Sequence, residues 1–152
     1  MLVVTQSALF EAASPGRADR PAERHADSGL IRAAARGEAT VLATEGGHVF
    51  ALFRDGTLRQ LVRLDEPIES LLIINPDGPT ALVGTEGAHL WRVGPDGPQR
   101  IEAFDALECR EQWHTPWGGP PAVRTLACTP DRTVYADIHV GSIMVSPDDG
   151  TT

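Results

Sequence analysis

An acidic residue and a histidine recur at short spacing three times along the chain: Glu45 with His48, Glu86 with His89, and Asp137 with His139. Carboxylate oxygens and imidazole nitrogens offer lone pairs, and imidazole titrates near neutrality, so such pairs could line a metal or acid–base site. The recurrence also has a plainer explanation, because acids and histidines satisfy turn amides and strand ends in any repeated unit. A second kind of chemistry lies in Trp113-His114-Thr115-Pro116-Trp117, with Arg110 and Glu111 just before it. Indole faces stack on sugar rings and other apolar ligand surfaces, and they also serve to plug an opening. No cofactor and no resident metal are expected.

These residues fall at fixed places in a repeating unit. Thr40 to Leu52, Thr80 to Val93 and Thr133 to Val145 each read as strand, short turn, strand. Phe50 and Trp91 are 41 residues apart and Trp91 and Met144 are 53 apart, close to the ~40–50 residues of a four-stranded propeller blade. The longer interval contains the Trp-rich segment, read as an inserted loop over 104–120. An apolar strand precedes each pair: Leu30 to Ala35, Ile68 to Ile74 and Ala122 to Cys128. A more polar strand follows the first two pairs, Leu58 to Arg63 and Gln99 to Ala103. Labelled A to D, the strands grade from apolar Leu71-Leu72-Ile73-Ile74 to charged Leu58-Arg59-Gln60-Leu61-Val62-Arg63, as a blade does from axis to rim. Strand A is therefore expected to be the most buried. The resulting expectation is an all-β fold, a β-propeller of antiparallel four-stranded blades. Residues 1–29 form a partial first blade, with strands from Leu2 to Thr5 and Ala8 to Ala12 and an outer strand within 14–29. Residues 30–63 and 68–103 form two blades, and 121–152 an incomplete one. The chain is expected to be a portion of a longer ring, closed by a later strand pairing with Leu2 to Thr5.

Composition excludes several alternatives. The 27 Gly and Pro residues in 152 suit short strands and tight turns rather than helices. A net charge of −8 repels phosphate backbones, so no nucleic-acid partner is expected. No apolar run nears the ~20 residues that span a bilayer, and Met1 to Ser14 lacks a basic leader region. No membrane partner and a cytoplasmic location are therefore expected, with Cys109 and Cys128 as free thiols.

The third unit ends Ser146-Pro147-Asp148-Asp149-Gly150-Thr151-Thr152. This resembles the Asp-box, Ser-x-Asp-x-Gly-x-Thr-Trp, with Ser146, Asp148, Gly150 and Thr152 at its positions up to the final Trp. The carboxylate can accept from amides within the turn, and glycine permits the positive φ that closes it. With its repeats, the chain resembles the N-terminal portion of a sialidase-like propeller of the BNR/YVTN-like kind, in a bacterial branch. The resemblance implies that Asp-boxes are structural and lie on the outer edge. It also implies that ligands bind on the central face, where B–C turns and D–A loops meet. That face would carry Trp113, His114, Trp117, His139, Asp137, His89, Glu86, His48 and Glu45, taking a carbohydrate or a protein ligand. The family's sialidases use an Arg-Ile-Pro motif and a Tyr–Glu nucleophile pair. Here Leu30-Ile31-Arg32-Ala33-Ala34 lacks the proline, and the one tyrosine, Tyr135, lies inside a strand. A binding or assembly scaffold is therefore favoured over an exo-sialidase-like glycoside hydrolase.

Overall fold

The computed structural model describes residues 2–5, 8–11, 22–26, 30–36, 39–75 and 77–152, and it is all-β apart from short helical turns between 102 and 112. Four antiparallel sheets follow one another in chain order. The first contains β1 (Leu2–Val4), β2 (Ala8–Glu11) and β3 (Ala22–Ala26). The second contains β4 (Leu30–Arg36), β5 (Ala39–Thr44), β6 (His48–Leu52) and β7 (Leu58–Arg63). The third contains β8 (Ile68–Asn75), β9 (Thr80–Thr85), β10 (Leu90–Gly94) and β11 (Gly97–Arg100). The fourth contains β12 (Val123–Cys128), β13 (Val134–Ile138) and β14 (Ile143–Ser146). Each is a simple meander in which neighbours in sequence are neighbours in the sheet. Of the expected outer strand in 14–29, β3 is described; residues 12–21 and 27–29 lie outside the described residues.

Hairpin registers define the repeat more sharply than sequence similarity does. Leu42 faces Phe50, Val83 faces Trp91 and Ala136 faces Met144 across their ladders. The turn Thr44–His48 thus superposes on Thr85–His89. In the fourth sheet Asp137 takes the position of Gly84, opposite Ile143 and Leu90 respectively. His139 therefore stands where the third sheet has Glu86, and Ser142 stands where it has His89. The acid–histidine pair is a true repeat twice, and its third occurrence is a different arrangement. The first strand of each unit carries a register irregularity after its first residue, at Leu30/Arg32, Ile68/Ser70 and Val123/Thr125. Such bulges bend a strand and increase its twist.

Strand alternation sends one face of each sheet towards the preceding sheet and the other towards the next. Leu9 meets Leu42 between the first and second sheets. Val41, Ala43 and Val49 meet Ile73, Val83 and Val93 between the second and third. Leu82 and Leu90 meet Val134, Ala136 and Ile138 between the third and fourth. Burying a side chain such as Leu82 fully is worth roughly 1.5–3 kcal/mol. At Gly84 the third and fourth sheets approach so closely that a Cβ would meet Val123 Cβ at 2.7 Å. Beside it the buried Ser70 hydroxyl donates to Val123 O at 2.7 Å.

In the third sheet the second strand, β9, is more buried than the first, β8, which mixes buried and half-buried positions; in the fourth, β13 alternates buried and exposed residues while β12 is largely exposed. This corrects the expectation for the first strand. A second strand has ladder partners on both edges, while β4, β8 and β12 are edge strands whose outer side is open. Charge occupies that open side: Arg32 and Arg124 both pair with Glu69, at 3.2 and 2.9 Å, linking β4, β8 and β12. The last strand of the third sheet also differs from the expected Gln99 to Ala103. The hairpin turns at Pro95-Asp96, so β11 ends at Arg100 and the chain winds into α1 (Glu102–Asp105). Cys109 and Cys128 are free. Among the described residues no helix is long and apolar enough to cross a membrane.

Candidate functional site

The segment between β11 and β12 is a built structure rather than a free loop. After α1 comes a 3-10 turn, Glu108–Gln112, and Phe104, Leu107, Cys109 and Trp113 pack into the core between the third and fourth sheets. Trp113 is 6% exposed, its ring 5.7 Å from that of Phe104. The Arg110 guanidinium sits 5.1 Å from the Trp113 centroid and donates to Ala88 O at 2.6 Å and Gly87 O at 3.3 Å. Arg110 thereby fastens the insertion to the turn that carries Glu86 and His89.

That turn is held from a second side. Gly87 N–H donates to Pro121 O at 2.7 Å, Glu86 N–H to Pro67 O at 2.9 Å, and His139 N–H to Ala122 O at 2.9 Å. The insertion and the turns after β9 and β13 therefore meet at one end of the sheets. His89 Nδ1 lies 2.9 Å from Asp105 Oδ1, and Arg100 Nε donates to the other carboxylate oxygen. Burial alone would raise the Asp105 pKa. The hydrogen bonds and charges of His89 and Arg100 outweigh it and hold the carboxyl below its ordinary value. His89 is thus committed to a structural cluster, its Nδ1 2.9 Å from Asp105 Oδ1 and 2.6 Å from an Arg100 guanidinium nitrogen.

The remaining residues divide. Trp117 is 67% exposed and its ring lies 5.2 Å from that of His139, inclined at 44°. Exposed His114 donates from Nδ1 to Gln112 O at 2.9 Å, beside this pair in sequence. His48 stacks on Phe50 at 6.0 Å, and its buried Nδ1 has no hydrogen-bond partner among the described residues. Glu45 is exposed, Glu86 half-buried, and Asp137 exposed on β13 rather than in a turn. Among the described residues no group of three or more His, Cys, Asp or Glu lies close enough to hold a metal ion. The arrangement can present an aromatic and imidazole platform to a ligand. Asp105 and Arg100 escape sequence reasoning because their role depends on the hairpin ending early, which no motif announces.

The Ser146–Thr152 turn is organised by a carboxylate. Asp148 Oδ1 accepts from Ser146 Oγ at 2.7 Å, Thr152 N–H at 2.9 Å and Thr151 N–H at 3.1 Å, and Oδ2 accepts from Thr152 Oγ1 at 2.8 Å. These bonds, the Ser146 hydroxyl foremost, lower the Asp148 pKa to about 2. Gly150 takes φ 78°, and its N–H donates to Ser146 Oγ at 2.9 Å. The turn borders an apolar cleft of about 80 Å³ lined by Leu90, Phe104, Leu107, Met144 and Gly150.

No protein-family model matches the sequence, and no curated protein does. Among solved structures the chain is similar to a computationally designed protein, Ika4, at 12% identity and a TM-score of 0.57, covering 93% of this chain and 79% of that one. At that identity the likeness is one of fold alone.

Proposed function

We propose that the chain is part of a sialidase-like β-propeller with Asp-box repeats and acts as a binding or assembly scaffold. In this reading the four sheets are blades, complete or partial, and the bulged first strands line the axis. The carboxylate-centred turn at Ser146–Thr152 is an Asp-box in this reading. The shared hairpin registers and the recurring bulge support it. The ligand site is the Trp117–His139 platform, and the observation that carries it is Trp117 itself, two-thirds exposed beside an imidazole. A large exposed indole is costly in water and gains from a partner that covers its face, as a sugar ring does. Calorimetric titration with a panel of neutral and sialylated oligosaccharides tests this. One of them binds the wild type, and Trp117→Ala abolishes that binding with the fold intact. Equal affinity in the two proteins, or no binding by any sugar, removes the carbohydrate site.

A further inference from the structure

The turn between β13 and β14 holds a residue in a conformation that its type avoids. Val140 takes φ 58°. In the left-handed region a β-branched side chain crowds the following carbonyl, so a valine there is strained. Gly141 N–H donates to Ile138 O and Ile138 N–H donates to Ser142 O, both at 2.9 Å. These bonds put Val140 at the third position of a tight turn, where a positive φ calls for glycine or asparagine. The equivalent turns do have glycine. With Asp137 in the place of Gly84, Val140 stands where the third sheet has Gly87, at φ 82°, and where the second has Gly46. The neighbouring glycine serves another purpose. A Cβ at Gly141 would meet Trp113 Cδ1 and Ile138 Cγ2, both at 2.9 Å, so this glycine makes room for the buried indole.

Backbone strain persists where the surroundings over-determine it, and it gathers at sites that contact ligands. Packing gives no reason for an isopropyl group here, since Val140 joins none of the apolar clusters between the sheets. The residue before it, His139, is the imidazole that lies against Trp117. We infer that Val140 is a ligand-contacting residue of the Trp117–His139 site, its methyl groups extending the apolar surface of the platform. The strained turn is what presents them. The inference rests on the platform being the ligand site.

The test pairs a stability measurement with titration of the same oligosaccharide panel, on the 152-residue chain. Val140→Asn fits the left-handed position and keeps a similar volume without the methyl groups. It raises the denaturant midpoint above that of wild type and weakens binding of the sugar that wild type takes by about fivefold or more. Val140→Ile, which keeps the branched apolar group, retains wild-type affinity. A midpoint for Val140→Asn at or below that of wild type shows an unstrained turn and overturns the inference. So does wild-type affinity in Val140→Asn while Trp117→Ala abolishes binding, a result that leaves the platform standing without Val140. An equal loss in Val140→Ile and Val140→Asn also overturns it. If no sugar binds the wild type, the platform reading fails and this inference with it, and the wild-type titration alone identifies that outcome.

Discussion

Trp113 and Trp117 lie four residues apart in one inserted segment and meet opposite fates. The stretch from Phe104 to Trp113 fills the gap between two sheets, and its charged residues bind backbone carbonyls and one another. The stretch after it turns outward and leaves an indole in solvent beside His139. The difference teaches that an insertion needs an internal foundation before it can present anything: Arg110 and Asp105 supply the anchor, and Trp113 supplies the volume. Sequence alone offers both tryptophans as equivalent candidates.

The largest expected effect belongs to the foundation. Trp113→Ala removes a core aromatic and is expected to cost about 3–5 kcal/mol of stability, read as a shifted denaturant midpoint. A loss below about 1 kcal/mol would mean that the segment does not pack as described. Asp105→Ala leaves Arg100 and His89 without their shared partner. Because the cluster is partly solvated, the expected cost is smaller, about 1 kcal/mol.

Acid should separate the two kinds of carboxylate interaction from the apolar packing. Both Asp105 and Asp148 have pKa values below the ordinary 3.8. A depressed folded-state pKa contributes stability that is fully present above the unfolded value and is lost as pH falls through the folded one. For Asp148 that window runs from 3.8 down to about 2. Asp148→Asn should flatten the stability profile there and leave it unchanged near neutrality in slope; an unchanged acid limb would contradict the role given to this turn. The smallest effect on stability belongs to Trp117→Ala, within about 0.5 kcal/mol, since an exposed ring gives up little on folding.

Much of the architecture was legible because period and turn chemistry are local. The Gly- and Pro-rich turns, the alternating strands and the spacing of Phe50, Trp91 and Met144 foretell antiparallel meanders of three and four strands. Burial was harder to foresee, since apolar content does not reveal which strand has neighbours on both edges; hence β9, rather than β8, is the more enclosed. In the site, Trp117 and His139 were legible as residue types, but their proximity was not. The match of His139 to His89 misleads in identity, because by register His139 takes the position of Glu86 and Ser142, three residues on, takes that of His89, and only the ladder Asp137–Ile143 reveals that.

The division of the insertion can be read directly from the indole N–H signals of the three tryptophans by NMR. Trp117 should exchange its indole proton rapidly with solvent and be the signal that shifts when a ligand binds. Trp113 should be protected up to the global stability and shift little. A protected Trp117, or a Trp113 that exchanges as an exposed residue does, would contradict the account.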